Sequence, residues 1–196
     1  MSGHLVLASG SPRRLTLLRD AGFDPEVRIP PVDETPLAGE DPSAMVQRLA
    51  LAKLHSVVVA GETGLAADTA VVIDGEVLGK PHVPDRAEEM LRLLSGRTHE
   101  VVGGIAARHG GHDATGVVTT KVSFRELPDD EIRAYVTSGE PLDKAGGYAI
   151  QGGGGRFVTE VGGCLDNVVG LSLGAALELF TVLGVQVPDR PGGSSL

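Results

Sequence analysis

The chain has 196 residues, a net charge of −9 and a hydrophobic fraction of 41%, which is enough to bury a sizeable core and is not typical of disorder. The acidic balance, without a Lys/Arg-rich block, argues against binding of nucleic acid polymers, and the single cysteine, Cys164, excludes an intrachain disulfide. No stretch approaches the ~18 apolar residues that span a bilayer, so we expect no membrane contact and a cytoplasmic location.

The first elements are a buried strand and a helix joined by a turn of small residues. Leu5 to Ala8 form a short apolar run typical of a strand, and Ser9-Gly10-Ser11 predicts a tight turn. Pro12 then suits the first helical position, with Ser11 as the N-cap, and Gly22 ends the helix.

Arg13 and Arg14 stand in the first turn of this helix, where the helix dipole disfavours each cation by roughly 0.3–1 kcal/mol. One interpretation is a pair of solvated arginines at a surface helix. The other is an anion site in which backbone N–H groups and guanidinium groups converge on a phosphate. The pattern is compatible with both, and the turn has too few glycines for a Walker loop.

The following elements alternate between strands and helices, which predicts an α/β protein. A helix capped by Asp41 or Ser43 is expected next, and its periodicity places Lys53 on the solvated face. Asp74-Gly75 lies between two apolar runs and predicts a β-hairpin. We then expect a capped helix over 85–96, two strands over 100–127, a capped helix over 128–139 and a last helix over 171–184.

Two carboxylates are candidates for chemistry. Asp68 lies in an apolar run, where a buried acid needs an ion-pair partner, a metal or a chemical role; the alternative is an edge carboxylate that points to solvent. Glu34 follows Asp33 in a Pro-rich loop. Glu34 and Asp68 together can hold a divalent cation through oxygen ligands and leave positions for water and phosphate.

Two polar residues further along suit nucleotide recognition. Lys80 follows the hairpin, where a lysine is either solvated or binds phosphate as a point charge. Gln151 follows the strand-like Tyr148-Ala149-Ile150, and its amide matches the N3–H and a carbonyl of uracil or thymine. The run Gly152 to Gly155 forms either a mobile loop or a backbone that approaches a flat base.

The remaining polar residues indicate no other chemistry. The six histidines lack metal-ligand spacing and are expected at the surface or as satisfied polar groups. Cys164 is expected to serve packing. We expect no Ser-His-Asp triad.

Eight short motifs occur in order between Leu7 and Leu173: LASGSPRR, VDE, RLALAK, ADTAVV, GKP, LSGRTHEV, DKAGGYAIQG and NVVGLSL. Over nearly the whole chain they resemble the Maf (septum formation) family of nucleoside triphosphate pyrophosphatases, and KAGGYAIQG is similar to the branch that acts on dTTP and UTP. The chain departs from the family pattern at Cys164, where the family usually has serine, and at Ser172, where it usually has proline.

The resemblance implies a Maf/ITPase-like α/β fold, with a mixed central β-sheet flanked by helices and two lobes around a nucleotide-binding cleft. We expect one domain over residues 1–190 and a flexible tail over 191–196. The implied reaction is hydrolysis between the α- and β-phosphates, which releases a nucleoside monophosphate and pyrophosphate, with Mg²⁺ or Mn²⁺ as the cofactor. The resemblance is also compatible with a homodimer.

The resemblance also implies roles for individual residues. Asp68 is the proton acceptor, and Arg13, Thr69 and Gln151 match the positions that set substrate choice. Five further residues lie in motifs that line the cleft: Ser9, Arg14, Glu34, Lys53 and Lys80. The metal ligands proposed above, Glu34 and Asp68, both lie in motifs of the family.

Two alternatives to a dTTP/UTP pyrophosphatase stay open. One is a pyrophosphatase for another nucleotide, such as 7-methyl-GTP or a modified pyrimidine triphosphate. The other is a nucleotide-binding regulator of cell division with weak catalysis. Gln151 favours a pyrimidine base, and the set of acidic and basic residues favours an enzyme.

Overall fold

The computed structural model describes residues 4–188. Within this range the chain forms strands β1 Leu5–Ala8, β2 Glu26–Arg28, β3 Thr63–Ile73, β4 Glu76–Leu78, β5 Thr98–His109, β6 His112–Phe124 and β7 Val158–Gly162. The α-helices are α1 Pro12–Asp20, α2 Pro42–Val57, α3 Pro84–Leu94, α4 Asp129–Thr137, α5 Leu165–Val169 and α6 Leu173–Val182. Short 3-10 turns span Glu140–Asp143, Ala145–Gly147 and Gly153–Phe157. The expected domain end at 190 and the expected tail over 191–196 lie outside the described residues.

The strands form one mixed sheet in the order β2-β1-β3-β5-β6-β7, with β4 paired to β3. β1 is parallel to both of its neighbours, so that Leu7 lies opposite Val27 and Leu65. β4 is antiparallel to β3, and β7 is antiparallel to β6. A mixed sheet accompanied by helices confirms the predicted fold class. The cleft between two lobes stays a prediction.

The described chain comprises two compact units, the first formed by residues 4–68, 103–118 and 170–188 and the second by residues 69–102 and 119–169. In the first unit, side chains alternate along β1 and pack on both faces of the strands. Leu7 packs with Leu18 of α1 and Phe180 of α6. Val6 packs on the other face with Leu54 of α2. The first unit is therefore layered around its strands.

Helix α2 packs against β5 within the first unit. The carboxylate of Asp41 accepts hydrogen bonds from two backbone N–H groups of the first turn, so Asp41 is the cap among the two predicted candidates, Asp41 and Ser43. A Cβ atom at Gly104 would lie 2.3 Å from the carbonyl carbon and oxygen of Val46, so only glycine allows the helix to come this close. This contact sets the depth at which the buried face of α2, including Lys53, meets the strands.

The β-hairpin predicted at Asp74-Gly75 is confirmed. The φ angles of these residues are 53° and 82°, which is the left-handed conformation that a tight two-residue hairpin turn requires. Val72 of β3 lies opposite Val77 of β4. None of the helices in residues 4–188 is long and apolar enough to cross a membrane.

A ring cluster fills part of the core of the second unit and contains a buried histidine. His99 is 1% exposed, and its Nε2 lies 2.9 Å from the hydroxyl of Tyr148. Its ring meets Phe124 edge to face, with ring centroids 5.0 Å apart. No described residue forms a hydrogen bond with Nδ1, and burial lowers the pKa of His99 to about 4. The expectation that the histidines are surface or fully satisfied groups is wrong for His99.

The two departures from the family pattern are accommodated by local hydrogen bonds. The N–H of Cys164 donates to Oγ1 of Thr120 at 3.3 Å, and that hydroxyl donates back to the Cys164 carbonyl at 3.1 Å. Ser172 stands at the N-cap of α6, where its Oγ accepts from the N–H of Ala175 at 3.4 Å. Thr120 holds the backbone of Cys164 on both sides, and Ser172 supplies a cap that proline lacks.

Candidate active site

The turn after β1 is organised around the buried hydroxyl of Ser9. Its Oγ accepts hydrogen bonds from the N–H of Ser11 at 3.2 Å and from Nη1 of Arg14 at 3.1 Å. Ser11 stands at the N-cap position of α1, as predicted, but its side chain forms no capping hydrogen bond with the described residues. The predicted N-cap position is therefore confirmed, and the side-chain oxygen that accepts from the backbone of this turn belongs to Ser9.

Arg14 is a half-buried cation with fixed contacts in the first unit. Its Nε donates to the carbonyl of Gly170 at 2.8 Å, in addition to the bond with Ser9. Burial lowers the pKa of Arg14, the carboxylates of Asp68 and Glu34 act in the opposite direction, and Arg13 adds to the lowering. Arg13 itself is half-buried in the first turn of α1. The interpretation of two solvated arginines is wrong for Arg14.

Asp68 lies in β3 and is buried, which contradicts the alternative of an edge carboxylate that points to solvent. Its Oδ1 lies 2.5 Å from Nζ of Lys53. The same Nζ lies 2.6 Å from Oε1 of Glu34, whose side chain is 47% exposed. One ammonium therefore joins the two carboxylates that the sequence proposed as metal ligands.

The solvated position predicted for Lys53 is wrong, since this residue is 5% exposed. The buried positions of α2 are 45, 46, 49, 50, 53 and 54, which recur at helical spacing. Lys53 thus continues the apolar face of the helix, with Asp68 as the partner that compensates its charge. The periodicity that was used to place Lys53 on the solvated face therefore indicates the buried face.

Arg48 is a second cation of α2 that the sequence analysis did not select. Its guanidinium forms two hydrogen bonds with the carboxylate of Glu40, at 2.5 and 2.6 Å. The bond with Glu40 raises the pKa of Arg48 against the effect of burial, and the charges of Asp68 and Asp33 add to the increase. Arg48 therefore belongs to the same group of charges as Asp68. The sequence signal for this role was the motif RLALAK, which begins with Arg48 and ends with Lys53.

Three predicted site residues belong to the second unit. Thr69 is half-buried in β3, Lys80 is exposed after β4, and Gln151 is exposed in a turn. The strand expected over 148–150 does not form, and this stretch instead leads into a turn in which the Gly152 N–H donates to the Ala149 carbonyl at 3.1 Å. Within residues 4–188 no three His, Cys, Asp or Glu side chains form a metal cluster.

The structure thus brings six predicted residues of the first unit together. Five of them are charged, and Ser9 joins them through its hydrogen bond with Arg14: Ser9, Arg13, Arg14, Glu34, Lys53 and Asp68. The protein is therefore an α/β protein with a buried carboxylate–ammonium pair, and arginines lie beside this pair at the turn between a strand and a helix. Residues 4–183 match the family model described as Maf-like protein, and the chain belongs to this family. The resemblance inferred from the eight motifs is confirmed.

Relatives of known name match nearly the full chain. A dTTP/UTP pyrophosphatase of Anaeromyxobacter dehalogenans (strain 2CP-1 / ATCC BAA-258) is 50% identical over 196 residues, covering 97% of this chain and 100% of the relative. A dTTP/UTP pyrophosphatase of Myxococcus xanthus (strain DK1622) is 50% identical over 189 residues, covering 95% of each chain. Among solved structures, the Staphylococcus aureus Ham1 protein matches with a TM-score of 0.43 and 20% identity, over 64% of this chain and 72% of that chain.

Proposed function

We propose that this protein is a nucleoside triphosphate pyrophosphatase that hydrolyses dTTP and UTP to the nucleoside monophosphate and pyrophosphate. Relatives of that name, 50% identical over nearly the full chain, support the proposal. The observation that carries it is the buried pair of Asp68 and Lys53, with 2.5 Å between Oδ1 and Nζ. A carboxylate held among cations suits the activation of water beside a polyphosphate. We place the activity in the cytoplasm, where free dTTP and UTP occur.

Asp68 accepts the proton of the attacking water. The water oxygen forms a bond to the α-phosphorus, while the bond from that phosphorus to the oxygen bridging the β-phosphate breaks. Pyrophosphate leaves with the electron pair of the broken bond. Lys53 engages Oδ1 of Asp68, so the second oxygen, Oδ2, lies outside this ion pair and takes the proton.

The cations of the turn after β1 bind the polyphosphate in this proposal. Arg14 is already fixed by Ser9 and by the carbonyl of Gly170, so its side chain loses little freedom when a phosphate binds. Arg13 and Lys80 compensate the charge that develops on the leaving pyrophosphate.

Substrate choice is assigned to Arg13, Thr69 and Gln151 in the same proposal. The amide of Gln151 accepts a hydrogen bond from N3–H of uracil or thymine and donates one to a neighbouring carbonyl. Cytosine does not match the amide in the same orientation, because its N3 is an acceptor and its C4 group is an amine, so the amide would have to turn over. Gln151 therefore distinguishes UTP from CTP, which share the same sugar and triphosphate.

Glu34 and Asp68 are the residues that would hold a divalent cation, Mg²⁺ or Mn²⁺. Oε1 of Glu34 and Oδ1 of Asp68 both contact the ammonium of Lys53, so a divalent cation held between these oxygens would have to take the place of that ammonium. This donor set suits Mg²⁺, which in phosphate sites is held by one or two carboxylates together with phosphate oxygens. When bound, the cation supplies charge stabilisation to the phosphoryl oxygens.

A panel of triphosphates tests the proposal through the release of pyrophosphate in the presence of Mg²⁺. We expect the fastest turnover with dTTP and UTP, and slower turnover with CTP and 7-methyl-GTP. Asp68→Asn should lower kcat by a factor of about 10²–10⁴ without loss of the fold. Asp24→Asn, which alters a carboxylate that is 93% exposed in the same unit, is the matched control and should retain the wild-type rate.

Each other outcome of this panel contradicts a defined part of the proposal. A folded Asp68→Asn protein with a near-normal rate removes Asp68 from the reaction. A preference for 7-methyl-GTP overturns the pyrimidine assignment. Tight nucleotide binding without hydrolysis favours a regulator of cell division. The homodimer stays a prediction, to be tested by the mass of the protein in solution.

A further inference from the structure

The turn that carries Gln151 is tied at both ends by the side chains of Tyr135 and Glu140. The hydroxyl of Tyr135 accepts a hydrogen bond from the N–H of Ala149 at 3.1 Å and donates one to Oε1 of Glu140 at 2.6 Å. The carboxylate of Glu140 accepts from the N–H of Gly153 at 3.1 Å and from that of the next residue at 3.4 Å. We call these two side chains the Tyr135–Glu140 clamp. Gln151 lies between its two attachment points.

The glycine that follows Gln151 is explained by the same contact. A Cβ atom at Gly152 would lie 2.5 Å from Oε1 of Glu140, so a side chain at this position would displace the carboxylate. The N–H of Gly152 also donates to the carbonyl of Ala149 at 3.1 Å, which closes the turn. The close approach to Glu140 therefore accounts for this glycine without a mobile loop.

The clamp is anchored in the core of the second unit. Tyr135 is 3% exposed, and its ring meets Phe157 edge to face with centroids 5.0 Å apart. Burial raises the pKa of Glu140, but the hydrogen bonds from Tyr135 and from the backbone of the turn outweigh it, so the pKa lies below its usual value. Glu140 is therefore ionised at neutral pH, and hydrogen bonds to an ionised acceptor are stronger than those between neutral groups.

We propose that Tyr135 and Glu140 are positioning residues that set the choice of base through Gln151, an inference that rests on the proposed function. They hold the backbone over 149–154 in one conformation and so limit the orientations in which the Gln151 amide meets the base. A fixed donor and acceptor discriminate between bases, whereas a loose turn lets the amide adapt to either edge. The clamp acts only through the placement of Gln151.

The ratio of kcat/KM for UTP to kcat/KM for CTP measures this effect. In Tyr135→Phe and in Glu140→Gln we expect the ratio to fall about tenfold, as for the loss of one bidentate base contact. The fall should come from a higher KM for UTP, with kcat changed less than about threefold, because the carboxylate–ammonium pair is untouched. Gln151→Ala should lower the ratio as well, and Tyr135→Phe added to it should give no further fall, because both act through the same contact.

A carboxylate on α4, the helix that carries Tyr135, provides the matched control. Asp129 of α4 forms an ion pair with Arg92 at 2.9 Å, and Asp129→Asn should leave the ratio at the wild-type value. The proposal is overturned if folded Tyr135→Phe and Glu140→Gln proteins retain the wild-type ratio. Equal losses of kcat with UTP and CTP also overturn it, since they indicate only a general effect on the fold.

Hydrogen exchange of the backbone amides separates this inference from the proposed function, because it needs no substrate. In the unliganded wild-type protein we expect the Gly153 amide to be protected, and in Glu140→Gln to exchange about tenfold faster. Wild-type protein that releases no pyrophosphate from UTP overturns the proposed function. Exchange that is unchanged in Glu140→Gln overturns the clamp, whatever the activity.

Discussion

Nζ of Lys53 lies 2.5 Å from Oδ1 of Asp68, and neither side chain is more than 10% exposed. The same ammonium lies 2.6 Å from Oε1 of Glu34, so one cation compensates two carboxylates. Removal of one member of a buried ion pair leaves an uncompensated charge in the interior. The proposed catalytic carboxylate and the stability of the first unit therefore depend on the same lysine.

Replacement of Lys53 by methionine tests this dependence. We expect Lys53→Met to lower the free energy of unfolding by about 3–5 kcal/mol, because Asp68 is left buried without its partner. Urea denaturation measures the loss. Asp68→Asn in the Lys53→Met background should restore part of it, since the second change removes the unpaired charge.

Lys121→Met is the matched control for this substitution. Lys121 is exposed on β6, so its replacement should change the free energy of unfolding by less than about 0.5 kcal/mol. Additive losses in the Lys53→Met/Asp68→Asn double variant would show that the two side chains are not coupled.

Gly104→Ala tests the contact between α2 and β5. The added Cβ would meet the backbone of Val46 at 2.3 Å, and a helix backbone moves only as a whole, so we expect a loss of about 1–3 kcal/mol in urea denaturation. Gly174→Ala in α6 is the opposite case, because nothing lies within 4 Å of its Cβ position and alanine favours the helix by up to about 1 kcal/mol. Equal stabilities of the two variants would contradict the close approach.

Features governed by neighbouring residues could be predicted from the sequence. The Asp41 cap and the Asp74-Gly75 hairpin follow from local backbone requirements, and both are present. The burial of Lys53 was missed because the periodicity of α2 was taken to place it on the solvated face, and its partner was not known. That partner, Asp68, lies 15 residues away on a strand, and only the packing of α2 brings the two together.

The surroundings of Gln151 show the same limit. Its glycine-rich neighbourhood was compatible with a mobile loop, because the sequence does not show what the backbone touches. The residues that fix it, Tyr135 and Glu140, belong to a preceding helix and turn. The family motif therefore indicated Gln151, while the groups that hold it became visible only in the structure.

Removal of divalent cations should stop the release of pyrophosphate. We expect EDTA to abolish turnover of dTTP and added Mg²⁺ to restore it, because Glu34 and Asp68 add negative charge beside the triphosphate and the cation offsets it. Glu34→Gln should raise the Mg²⁺ concentration for half-maximal activity by about tenfold or more. Glu178→Gln, an exposed glutamate on α6, should leave it unchanged. Full activity in EDTA would remove the cation from the proposed reaction.

The stability of the protein should depend on pH through His99. Burial lowers the pKa of His99 from 6.5 to about 4, so the unfolded chain binds a proton at a higher pH than the folded protein does. The contribution of neutral His99 to the free energy of unfolding is therefore fully present above pH 6.5. It is lost as the pH falls toward about 4, by about 3 kcal/mol in total. His99→Gln should flatten the decline of the unfolding free energy over this range, measured by urea denaturation against wild type. His112→Gln, at an exposed position of β6, should keep the wild-type decline. Equal declines in all three proteins would show that folding does not lower the pKa of His99.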